Sequence, residues 1–192
     1  MNVINTEIPG VVILEPRVFR DERGWFMEFF NLRDFSAAVQ GVNFVQDNQS
    51  CSSYGVIRGL HYQKGRSAQS KLVQVLEGRV LDIAVDIRVG SPWFGRHVSV
   101  ELSADSHRQL FIPRGFAHGF SVLSEKAVFL YKCDAFYDPS SEGAIAWDDP
   151  ALGIDWKVPA EKAVLSQKDQ CHRRLSECEP GELFNYNQDL YA

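Results

Sequence analysis

The chain is expected to fold mainly into β structure, as a sandwich or barrel with short flanking helices. Three observations lead there. Runs of alternating or apolar residues recur through the middle of the chain at the length of strands. Turn residues separate them at short, regular intervals. Helical patterning is confined to the flanks.

The strands follow in order. Leu72 to Leu76 stops at Glu77-Gly78, a turn pair, and Val80 to Ile87 resumes beyond it. In that second run Leu81, Ile83, Val85 and Ile87 share one face, and Val80, Asp82, Ala84 and Asp86 share the other. Extended runs continue over 98–102, 109–112, 117–123 and 127–133, parted by Gly90-Ser91-Pro92, Gly95, Ala104 to Ser106, Pro113-Arg114-Gly115 and Ser124 to Lys126. On the flanks, Asn31 can cap a short helix over 32–40 that ends at Gly41. Ser166 and Asp169 have the spacing of a capping box that would open a helix running toward Ser176. No linker-like stretch divides the sequence, so residues 1–192 read as one domain.

Composition removes several function classes. With 45% hydrophobic and 23% charged residues, the 192-residue chain can build a substantial core. No apolar run reaches a membrane-spanning length, and no secretory signal pattern opens the sequence, so no membrane partner is expected. A net charge of −5 argues against nonspecific nucleic-acid binding while leaving room for a local cationic pocket. Four cysteines, Cys51, Cys133, Cys171 and Cys178, form no Cys-x-x-Cys pair, which fits reduced thiols in the cytoplasm. The five histidines form neither HxH nor HExxH, and there is no glycine-rich phosphate loop, so neither a metal nor a nicotinamide cofactor is implied.

The stretch richest in chemistry is Arg58-Gly59-Leu60-His61-Tyr62-Gln63, with Lys71 ten residues past His61. It places an imidazole, a guanidinium and an ammonium in one short run. Removing a proton from carbon beside a carbonyl needs a base, and positive charge where the enolate oxygen forms. Read alone, the same residues also suit a turn between strands bearing ordinary surface charge.

Several segments in order resemble one family. They are Phe19 to Glu28, Phe44 to Ser50, Val56 to Gln63, Lys71 to Val75, Ile112 to Phe120, Tyr131 to Tyr137, Glu142-Gly143 through Trp147 to Pro150, Ile154 to Trp156, and Leu165 to Asp169. Together, over roughly residues 10–170, they are similar to the dTDP-4-dehydrorhamnose 3,5-epimerases, the nucleotide-sugar epimerase branch of the cupins. The resemblance implies a cupin-type jelly roll, a homodimer, no cofactor, and a dTDP-4-keto-6-deoxyhexose substrate inverted at C3 and C5.

What the resemblance assigns to residues follows by position. His61 matches the general base, Asp169 its acidic partner, Tyr131 the proton donor on the opposite sugar face, and Lys71 the cation at the enolate oxygen. Asp169 is equally explained as a capping residue, and Asp82 and Asp86 are rival partners for His61. Arg58 would assist Lys71 or bind the diphosphate. Arg23 and Glu28 match positions at a shared subunit interface, and Phe26 and Tyr137 offer faces for thymine. Gln46, Asp47, Asn48, His118, Glu142 and Lys168 match further substrate contacts. Two alternatives stay open: a single-site 3- or 5-epimerase of a related pathway, and a metal-dependent cupin. Against the second, Lys71 occupies the place where an acidic ligand would be expected.

Overall fold

A computed structural model describes all 192 residues, Met1–Ala192. Fifteen strands and one helix follow in chain order: β1 (Asn2–Asn5), β2 (Val12–Glu15), β3 (Val18–Asp21), β4 (Gly24–Met27), α1 (Leu32–Ala38), β5 (Gln46–Ser53), β6 (Ile57–Gln63), β7 (Lys71–Glu77), β8 (Arg79–Asp86), β9 (Arg88–Val89), β10 (His97–Ser103), β11 (Gln109–Ile112), β12 (Phe116–Val122), β13 (Lys126–Cys133), β14 (Glu142–Ala144) and β15 (Phe184–Asn185). Two antiparallel sheets carry the fold, a six-stranded β1-β2-β11-β7-β13-β5 and a five-stranded β10-β8-β12-β6-β14. The result is a cupin-like jelly roll, as expected.

Alternation along each strand builds the layers. Val73 and Val75 of β7, Leu110 and Ile112 of β11 and Phe129 of β13 face Val80 and Ala84 of β8, Val98, Val100 and Leu102 of β10 and Phe120 of β12 between the sheets. Strand β8 is buried on both faces. Its other side, Leu81, Ile83 and Val85, packs under Leu152, Trp156, Leu175 and Phe184 from the C-terminal segment. That segment therefore serves as the cover of the five-stranded sheet. The outer face of the six-stranded sheet is covered by α1, whose Phe35 packs on Leu14, Leu72 and Phe111. Asn31 caps that helix as expected, its Oδ1 accepting from Arg33 N at 3.0 Å, although the helix stops at Ala38 rather than 40.

Two glycines fix strand geometry, one at the end of β7 remote from Lys71 and one two residues before His61. Gly78 turns β7 into β8 with φ of +79°, and a Cβ there would meet the Lys126 carbonyl oxygen at 2.0 Å. Gly59, with φ of +140°, lets β6 approach β12 so closely that a Cβ would lie 2.5 Å from Gly119 Cα. The register then places His61 directly across from His118.

The helix expected beyond Ser166 is corrected by the structure. Two separate 3-10 turns occupy the region, Asp169–Cys171 and Leu175–Glu177. Between them the backbone is drawn out to bond elsewhere: Ala146 N donates to the Arg173 carbonyl at 2.8 Å, and Leu175 N donates to Asp149 Oδ2 at 2.8 Å. These tertiary bonds replace the i to i−4 ladder a longer helix would need.

Candidate active site

The inner faces of several strands run from apolar to polar toward one end of the jelly roll. Lys71 continues the inward series of Val75 and Val73 on β7, and Tyr131 continues Phe129 on β13. His61 points into the same space from β6, because its neighbours Leu60 and Tyr62 pack on the opposite face. A cavity of about 480 Å³ opens there, lined by His61, Lys71, Tyr131, Tyr137, Glu142 and Lys168 among others. A volume of this size suits a small-molecule ligand.

On one wall, His61 Nε2 lies 2.6 Å from Asp169 Oδ1. The His61 side chain is 44% exposed, whereas that of Asp169 is 6% exposed. Ser166 Oγ donates to the other Asp169 oxygen at 2.8 Å, while Asp169 N donates to Ser166 Oγ at 3.1 Å. The capping contact and the histidine contact therefore coexist, one carboxyl serving both. Burial alone would push the Asp169 carboxyl up; the hydrogen bond and attraction from His61, with help from Ser166, outweigh it and hold the group below its ordinary value. An ionised Asp169 accepts from His61 Nε2–H, so the ring's lone pair is left on Nδ1.

Across the cavity, Lys71 Nζ lies 5.9 Å from the centre of the Tyr131 ring. Burial lowers the Lys71 pKa, against upward pulls from Cys133 and Asp82, so its proton is held less firmly than usual. Burial raises that of Tyr131, with Cys133 adding to it and Arg58 opposing, so the phenol keeps its proton. Around the mouth, the Tyr137 hydroxyl donates to Glu142 Oε1 at 2.9 Å, and the Lys168 ammonium pairs with the other Glu142 oxygen. One wall can accept a proton and the other can supply one, with an ammonium beside the donor.

Other expected site residues lie apart from this cavity wall. His118 is buried, its Nε2 3.0 Å from both Asp82 oxygens, and Asp86 is taken by Arg88 and Ser91; neither rival aspartate holds His61. Arg58 reaches Ser52 Oγ at 3.2 Å. Gln46 and Asn48 share the face of Tyr131 and bond each other at 3.1 Å, and Gln46 Oε1 accepts from Tyr137 N at 2.9 Å. Asp47 faces the opposite side, paired with Lys132 at 2.9 Å, because strand alternation turns it away. Arg23 folds onto Asp21 within its own turn, Phe26 is 70% exposed, and Glu28 accepts from Asn31 Nδ2 at 3.0 Å. Within one chain, the β3–β4 hairpin does not bring these three to the cavity.

Sequence reasoning missed His172. Its Nε2 approaches Asp169 Oδ1 to 3.4 Å, and its ring meets that of His61 edge to face at 5.9 Å between centres. The available signal was the spacing Asp169-x-x-His172, which puts both side chains on one side of a helical turn.

A jelly roll whose polar end pairs a carboxylate-held histidine with a facing phenol and ammonium defines an acid–base enzyme of the cupin type. A family model described as dTDP-4-dehydrorhamnose 3,5-epimerase matches residues 5–177, and the chain belongs to that family of isomerases. It is 56% identical over 170 residues to the dTDP-4-dehydrorhamnose 3,5-epimerase of Shigella flexneri, an alignment covering 88% of this chain and 93% of the relative. The crystal structure of a Legionella pneumophila dTDP-6-deoxy-D-glucose-3,5-epimerase in complex with dTDP-4-keto-L-rhamnose superposes with a TM-score of 0.93 at 48% identity, covering 97% of this chain and 99% of that one. A 3'-monoepimerase from Streptomyces bikiniensis, solved with dTDP-quinovose, also superposes, with a TM-score of 0.87 at 32% identity, covering 94% of this chain and 92% of that one.

Proposed function

We propose that this chain inverts both C3 and C5 of dTDP-4-dehydro-6-deoxy-D-glucose, giving dTDP-4-dehydro-L-rhamnose for deoxysugar synthesis in the cytoplasm. The carrying observation is the two-walled cavity, with His61 held by Asp169 at 2.6 Å on one side and Tyr131 beside Lys71 on the other. C3 and C5 both flank the C4 carbonyl, so one enolate chemistry acidifies each C–H. His61 Nδ1 takes the proton, and Asp169 stabilises the imidazolium that results. The Lys71 ammonium faces the enolate oxygen, where negative charge develops. Tyr131 returns a proton to the other face of the carbon, which is what inversion requires. No electrons change hands, so the step needs no redox cofactor.

Around the reacting sugar, Tyr137, Glu142 and Lys168 form a bonded cluster at the mouth and contact the nucleotide part of the substrate. Gln46 and Asn48 support that rim through Tyr137, with Arg58 a further member of the substrate site, while Asp47, turned outward, and His118, sealed against Asp82, stay off the substrate. The whole chain works as one domain, and two copies pair. Phe19, Trp25 and Phe26 stand exposed on the β3–β4 hairpin, an apolar projection of the kind that marks an interface. In the pair, the hairpin's Arg23, Phe26 and Glu28 complete the partner's nucleotide site.

Proton NMR of the 4-keto sugar nucleotide in D₂O tests the reaction. Deuterium entering at both C3 and C5 is expected. Incorporation at one carbon alone would replace this reading with a single-site epimerase.

A further inference from the structure

We infer that His61, Asp169 and His172 form an inhibitory binding site for a divalent transition-metal ion such as Zn²⁺. The ligand atoms of the three residues lie within 4.8 Å of one another. Two imidazoles and one carboxylate make a donor set that such ions favour over Mg²⁺ or Ca²⁺. A tetrahedral ion with ligands at about 2.0–2.1 Å holds them roughly 3.4 Å apart. His172 Nε2 and Asp169 Oδ1 already stand at 3.4 Å, the His61–Asp169 contact must lengthen from 2.6 Å, and the two imidazoles lie within 4.8 Å of each other, a gap that side-chain rotation closes.

Two further observations favour the site. His172 Nε2 is buried yet makes no hydrogen bond, and buried polar atoms ordinarily have a partner. Ser166 Oγ fixes Asp169 from its far oxygen at 2.8 Å, orienting Oδ1 toward both rings as outer-shell groups do around metals. Two cations of this rim are already paired, Lys168 with Glu142 and Arg173 with Glu182.

The ion acts on the ring tautomer. Binding at His61 Nε2 moves the ring proton to Nδ1, the nitrogen that must be empty to accept a proton from the sugar. No proton is lost; it changes sides, and the base is silenced. The inhibition rests on His61 being the base, whereas the binding does not.

The test uses the full chain freed of metal by a chelator. Co²⁺ is titrated while its visible d–d bands are followed, Zn²⁺ is titrated by calorimetry, and turnover is followed by NMR at each occupancy. One ion per chain is expected, with turnover falling as the site fills and returning with EDTA. Compared with its own metal-free rate, the turnover of His172→Gln should resist the ion, and the variant should bind it at least about tenfold more weakly, the low end of what even outer-shell changes cost. Equal binding by wild type and His172→Gln would overturn the site, as would its loss on replacing Cys171 and Cys178, which line the same cavity, with serine. Full occupancy with undiminished turnover would instead overturn the inhibition, and with it the role of His61.

Discussion

Two histidines sit side by side across β6 and β12, each with Nε2 against an aspartate, and they stand in different surroundings. His61 and His118 are register partners. The first meets Asp169 at 2.6 Å and is 44% exposed to the cavity; the second meets Asp82 at 3.0 Å and is 7% exposed. The residue types are the same, so the difference lies in solvent and substrate access. A half-open imidazole with a free Nδ1 can exchange protons with a ligand. A sealed one can only satisfy its neighbour, and burial lowers the His118 pKa despite the attraction of Asp82. A histidine–aspartate pair is thus evidence of catalysis only when one ring nitrogen faces the place where substrate sits.

The sharpest way to break this comparison is to remove each imidazole's chemistry in turn. His61→Asn should lower turnover on the order of 10²–10⁴-fold, the usual worth of a general base. Its unfolding midpoint should stay near that of wild type, because His61 is half exposed. Deuterium exchange at the wild-type rate in this variant would show that another group is the base.

Asp82→Ala should behave in the opposite way, costing stability first. It leaves His118 Nε2 without its partner in a fully buried setting and strips Lys71 of a nearby carboxyl. Breaking such a pair from one side costs about 3 kcal/mol, measurable by urea denaturation. The corresponding loss in Asp169→Ala should be much smaller, because water reaches His61. Equal losses in the two variants would mean that burial does not separate the pairs.

Much of this contrast was legible in the sequence, and the reasons for the rest are physical. Strands β7, β8 and β10 to β13 showed themselves because one face is apolar and the turn residues between them are strong. Strand β5, Gln46–Ser53, has polar residues on both faces and gave no alternation to read; only its pairing with β13 makes it a strand. The β3–β4 hairpin is similarly exposed and short. Asp169 could be read as a cap or as a partner of His61, since 108 residues of chain separate it from the histidine; Ser166 shows that the two roles are compatible. The helix expected beyond it failed because Arg173 and Leu175 bond to Ala146 and Asp149, distant contacts with no local signature.

The smallest expected effect separates the pairs by the sign of their pH dependence. The Asp169 carboxyl is held below its ordinary value, so the folded chain binds fewer protons there than the unfolded chain. Its contribution to stability is complete above the ordinary carboxylate value of about 3.9 and is lost as pH falls through the lower folded value. Burial raises the Asp82 carboxyl against the pull of His118 and Lys71, so its sign is reversed: the favourable contribution is present below the ordinary value and is lost as pH rises through the raised one. The stability gap between wild type and Asp169→Asn should therefore shrink on acidification, while that between wild type and Asp82→Asn should grow. Urea unfolding of the three proteins across the acid range reads both gaps. Parallel pH slopes would show that the two carboxyls share one environment, and the distinction between an open catalytic pair and a sealed structural one would fail at its root.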